Sequence, residues 1–88
     1  MMKPGEDIIT QGITDLSAGL ETIPSLLVSI GAPRLRHIGL TIPASTFSSP
    51  EHRLFKLLSV EDPDAAHSKY NAWIRRLVSY ERAAECSS

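Results

Sequence analysis

Apolar residues recur in the first third of the chain at Ile9, Ile13, Leu16, Leu20, Ile23, Leu27 and Ile30. Alternating steps of four and three put them on one face of a helix. Gly12, Gly19 and Pro24 interrupt that face. Each glycine costs about 1 kcal/mol relative to alanine inside a helix, and proline is tolerated only in the first turn. The pattern therefore predicts two helices rather than one. The first, weak, covers roughly residues 6–21. The second begins near Thr22 with Pro24 in its first turn and stops at Gly31, with Pro33 two residues beyond. Gly12 and Gly19 lie seven apart on one stripe, either as a mark of helix weakness or as a place where another backbone comes close.

Between Arg34 and Ile42 the period changes. Ile38, Leu40 and Ile42 alternate with Gly39 and Thr41, a period of two that predicts a short extended segment near 38–42. In the alternative, residues 25–42 form a β-hairpin around Gly31-Ala32-Pro33, giving an α+β domain. Pro43 and Pro50 bracket a Ser/Thr-rich stretch that reads as an internal loop over 43–50.

The back half is plainer. Ser48-Ser49-Pro50-Glu51 opens a helix with a serine cap, a first-turn proline and an acid at the positive end of the dipole. That helix carries Leu54, Phe55, Leu57 and Leu58 to about Val60. Glu61-Asp62-Pro63-Asp64 breaks it, with Asp62 as the cap of the next. The last helix runs to about Glu85. Tyr70, Trp73, Ile74, Leu77, Val78 and Ala84 form its apolar face, and Lys69, Ala72, Arg75, Arg76, Ser79 and Arg82 its polar one. The fold class expected is mostly α, a small single-domain bundle of about four helices across residues 1–88, with flexible tails at 1–5 and 86–88.

Composition changes this picture little. The chain has 88 residues, 42% hydrophobic and 22% charged, with nine basic against ten acidic side chains and a net charge of −1. That suits one soluble domain with a modest core. The lone Cys86 cannot close an intrachain disulfide. No leader-like apolar stretch follows Met1, and no window approaches the roughly 20 apolar residues of a membrane span, so a cytoplasmic location and no membrane partner are expected.

Candidate chemistry is sparse. His37, His52 and His67 form no pair at helical metal-ligand spacing, and Asp62 and Asp64 near His67 are better read as helix-start residues. No nucleophile elbow and no glycine-rich phosphate loop occurs. The expectation is therefore no catalytic residue, no metal, no cofactor and no enzymatic activity. The last two helices have the outline of a helix-turn-helix. Asp62 and Asp64 stand where a recognition helix would meet phosphates, however, and Arg75 is its first arginine, which disfavours nucleic acid. Arg34, Arg36, His37, His52, Arg53 and Lys56 make a locally basic set suited to an acidic partner.

The apolar inventory exceeds what so small a core is expected to hide, and leftover apolar area marks a docking site. The functional expectation is a small intracellular regulator working by protein–protein contact, an adaptor or an inhibitor of a larger transcriptional or signalling factor. Its partner-binding residues are expected to be Ile13, Leu16, Arg53, Trp73, Arg76 and Leu77. The alternatives are a divergent helix-turn-helix regulator that binds DNA, and a homo-oligomer built on the 9–30 stripe.

Overall fold

The computed structural model describes residues 4–44 and 47–87. Four helices follow in order: α1 Glu6–Ser17, α2 Ile23–His37, α3 Pro50–Glu61 and α4 Ala66–Ser87. Among the described residues there is no strand. The fold is mostly α, as the hydrophobic periodicity predicts.

The α1–α2 turn is fixed by its sequence. Gly19 adopts φ +76. Its N–H donates to the Leu16 carbonyl and that of Leu20 to the Asp15 carbonyl. This pair closes a helix end only where a residue can take the left-handed conformation, which glycine does without strain. Three residues on, Thr22 caps α2: its Oγ1 accepts from the Ser25 N–H at 3.2 Å, and Ser25 Oγ accepts from the Thr22 N–H at 2.8 Å. Pro24 lies in the first turn, where its missing N–H costs nothing. The Thr22 hydroxyl also donates to Asp15 Oδ2 at 2.7 Å, and Gln11 Nε2 donates to Asp15 Oδ1 at 2.8 Å. Buried Asp15 thus pins the end of α1 to the start of α2.

The predicted stop at Gly31 does not occur. Helix α2 continues through Gly31 and contains Pro33. The apolar spacing continues across the proline: Leu27 and Val28 are followed by Ala32 and Leu35, all buried. Burial of Leu35 outweighs the backbone hydrogen bond that Pro33 cannot make. The helix ends instead at His37, and Gly39 just beyond it repeats the Gly19 arrangement. Hence the hairpin over 25–42 does not form; of the expected extended segment near 38–42, Ile38 and Gly39 belong to the turn that closes α2, and residues 40–42 lie outside any helix or strand. Residues 40–44 are irregular, with Ile42 buried and Ile38 and Leu40 half-buried against the core. The Arg36 guanidinium donates to the Ile42 and Pro43 carbonyls at 3.1 to 3.3 Å, supplying partners that a ladder would otherwise provide.

Helix α2 is central and packs against α1, α3 and α4. Leu26, Leu27, Val28, Leu35, Leu54 and Leu58 are almost wholly buried between them. Ser49 is the residue before α3, at φ 49, and Pro50 is its first helical residue; the serine side chain makes no capping bond. Asp62 does not cap the last helix directly: residues 63–65 form a turn, α4 begins at Ala66, and the Asp62 carboxylate accepts from the Ala65 N–H at 3.3 Å within that turn. Helix α4 has 22 residues and is therefore about 33 Å long.

Most of the supposed apolar surplus is absorbed. Ile9, Leu16 and Leu27 of the front stripe are buried, Ile13, Ile23 and Ile30 are partly buried against the core, and Leu20 is exposed. The large apolar side chains exposed among the described residues are Leu20, Phe55 and Val60.

Candidate functional site

The six residues expected to meet a partner are distributed by the fold into four places. Leu16, 6% exposed, is inside the α1–α2 hairpin, and Ile13 is half-buried against the same core. Leu77, 4% exposed, is packed where α4 crosses α2; a Cβ at Gly31 would stand 2.8 Å from its Cδ1. Leu16 and Leu77 are therefore core residues, and a partner cannot reach them. Both belong to the apolar stripes that define the helices, and stripe membership does not distinguish core from contact surface.

Trp73 and Arg76 stay together at the surface. The Arg76 guanidinium stacks over the Trp73 indole, 5.0 Å from the ring centroid. They line a groove of about 370 Å³ with Ile23, Leu58, Glu61, Lys69 and Ala72. Three elements build it: the first residue of α2, the end of α3 and one stripe of α4. Lys69, Ala72, Trp73 and Arg76 recur at steps of three, one and three, which keeps them on one helix face. The small side chain of Ala72 leaves room between two cations, and Trp73, Ile23 and Leu58 supply apolar walls. Lys69 Nζ lies 3.7 Å from Asp62 Oδ2, an exposed pair that contributes little and leaves the ammonium accessible.

Arg53 lines a different depression, of about 600 Å³, with Glu21, Ser48, Ser49, His52, Lys56, Leu57 and Val60. Its guanidinium is largely occupied. It donates to the Ser48 carbonyl at 2.9 Å and to Glu21 Oε1 at 3.0 Å, and it stands 5.8 Å from the Phe47 ring centroid. The basic set over 34–56 is likewise divided. Arg36 holds backbone carbonyls, while Arg34 Nε donates to Glu85 Oε1 at 2.7 Å. Arg34 and Arg36 thus hold other parts of the chain, while His52, Arg53 and Lys56 of the set share one depression.

One ionisable cluster went unnoticed in the sequence. Glu81 is 4% exposed, its carboxylate against Gly31 and 4.0 Å from Arg34 Nη1. Burial pushes its pKa above the ordinary 4.5; Arg34 pulls the other way and Glu85 adds to the rise. Glu85, hydrogen-bonded to Arg34, is held below that value. The two carboxyls therefore give opposite pH slopes. Glu81 contributes stability that is fully present below pH 4.5 and is lost as the pH rises through its raised pKa. Glu85 contributes stability that is present above pH 4.5 and is lost as the pH falls through its lowered one. Replacing Glu81 by glutamine is expected to remove the first slope. Urea midpoints of the variant and the parent should then diverge from pH 4.5 towards 7, with the variant gaining. A constant difference across that range would show that Glu81 titrates as an exposed acid.

The turn between α3 and α4 displays Asp62 and Asp64, with Asp62 tied to the Ala65 amide and to Lys69. No helix among the described residues is long and apolar enough to cross a membrane. No protein-family model matches the chain, and comparison with curated proteins and with solved structures finds no similar protein.

Proposed function

We propose that the protein is a small, cytoplasmic, non-enzymatic regulator that acts by docking onto another protein through the Trp73–Arg76 groove. It is an adaptor, or an inhibitor that occupies a site on a larger transcriptional or signalling factor. The observation that carries this reading is the pairing of a half-buried tryptophan with an exposed arginine stacked on it beside a small residue, in a groove with apolar walls. Tryptophan and arginine dominate the energetics of protein interfaces, because each combines a large contact area with a directed polar group. Stacking restrains the guanidinium before the partner arrives and lowers the ordering cost of association. The action is steric: a partner segment enters the groove and is covered by the domain.

A photo-crosslinking side chain placed at Ala72 tests this in cells that make the protein. The expected result is a discrete adduct with one partner protein, lost when Arg76 is changed to glutamate and absent when the crosslinker is at exposed Thr10 of α1. Equal labelling from positions 72 and 10, or labelling indifferent to Arg76→Glu, would overturn the docking reading.

A further inference from the structure

We infer that the occupant of the Trp73–Arg76 groove is an acidic amphipathic helix, with two carboxylates about seven residues apart and an apolar side chain midway between them. The inference rests on the docking reading and names its partner chemistry.

The argument is one of spacing and charge. Lys69 and Arg76 are seven residues apart on α4, so their attachment points are separated by about 10 Å along the helix axis, almost two turns. Ala72 lies between them on the same stripe and is exposed. The groove is thus cationic at both ends and open at its centre. Its walls there are Trp73, Ile23 and Leu58, which suit one leucine- or phenylalanine-sized side chain. Two cations face a single lining acid, Glu61, at the end of α3, and Lys69 is also paired with Asp62, which does not line the groove. A partner helix lying along α4 has the same rise per residue. Acids at positions i and i+7, with an apolar residue at i+3 or i+4, therefore face both cations and the centre at once. Lys69 exchanges a loose, exposed contact with Asp62 for a new one, and Arg76 binds a carboxylate through its edge while its face remains on the indole. A basic or neutral helix of the same apolar pattern would leave both ends unmatched.

Synthetic peptides provide the test, with the complete protein and its one tryptophan as reporter. The matched probe is a capped 16-residue helix of alanine and glutamine, with a central leucine, a glutamate three residues before it and another four residues after it. The comparators keep the leucine but bring the glutamates four residues apart, or replace them with lysine. The expected result is a saturable change in Trp73 fluorescence, with the matched peptide binding at least tenfold tighter than either comparator and weakening as salt rises. Lys69→Glu and Arg76→Glu should each cost tenfold or more. Each loss should be recovered by the peptide whose corresponding glutamate is exchanged for lysine. Both variants change exposed positions, and an unchanged urea midpoint confirms their fold. Equal binding of matched and misspaced peptides, or failure of the exchanged peptides to restore affinity, would overturn the acidic-helix inference. Should the Ala72 adduct persist and still depend on Arg76 in that case, the docking reading stands and only the partner chemistry is wrong.

Discussion

Changing Gly12 to alanine is expected to destabilise the protein by about 1–3 kcal/mol, the cost of forcing atoms into a packed interface. In an exposed helix the same substitution would gain about 1 kcal/mol, because alanine is the better helix former. The sign reverses because of what a methyl would meet. A Cβ at Gly12 would stand 2.4 Å from the Pro24 carbonyl oxygen and 2.4 Å from Val28 Cγ2. The first of these is backbone in the opening turn of α2 and cannot turn aside as a side-chain end can. Helix α1 would have to draw away, loosening the contacts of Ile9 and Leu16 with α2 and straining the Asp15–Thr22 hydrogen bond. Valine at this position should cost more and release α1 from the domain. Thermal unfolding followed by circular dichroism reads both. A midpoint for Gly12→Ala several degrees below the parent is expected, since about 1 kcal/mol shifts a domain of this size by roughly 4–8 °C. Thr10→Ala, exposed on the same helix, should move it little. A midpoint for Gly12→Ala equal to or above the parent would mean that the two helices are not in backbone contact there.

Gly12 also shows where sequence reasoning reached its limit. The two glycines seven apart look alike as letters. One is a crossing point for α1 and α2 and the other a helix stop, and only the partner backbone distinguishes them. The four-helix order was legible because the stripes in α1, α3 and α4 have a period that only a helix satisfies. The start of α2 was legible because Thr22, Pro24 and Ser25 cap locally. Its end was not. Gly31 and Pro33 are strong local stop signals, and they were outweighed by Ala32 and Leu35, whose burial depends on helices far away in sequence. The alternation at Ile38, Leu40 and Ile42 does not make a hairpin for a related reason: three apolar residues can pack on a core without a ladder when an arginine satisfies the carbonyls. At the candidate site, Trp73 and Arg76 were visible as residue types on a helix face. Leu16 and Leu77 were not separable from them until the packing of α2 showed which stripe was covered. The basic set over 34–56 could not have been apportioned in advance, because Glu21, Glu81 and Glu85 come to those arginines from other segments.

Truncating Leu54 to alanine is expected to have the largest effect of any single core deletion on α3, about 2–5 kcal/mol. An 88-residue domain has a total stability of about 4–13 kcal/mol, so the loss is a substantial fraction of what holds the fold. The position is decisive because α3 hides few residues: Leu54 and Leu58 are its buried side chains, at 0% and 1% exposure, while Phe55 and Val60 are turned outward. The cavity left by Leu54 opens in the part of the core that α3 shares with α2 and cannot be filled by a neighbour on its own helix. Leu58 lies one turn on and forms part of the groove wall beside Trp73, so loosening α3 also widens the site. Two measurements should therefore move together in Leu54→Ala: a lower urea midpoint, and a red-shifted tryptophan emission already present in the native baseline. Val60→Ala, at a side chain 78% exposed on the same helix, should change stability by no more than about 0.5 kcal/mol and leave the emission unaltered. A Leu54→Ala protein that kept the parent midpoint would show that α3 is held by something other than its two leucines. One that lost stability with its tryptophan spectrum unchanged would show that Leu54 does not hold the groove wall in place.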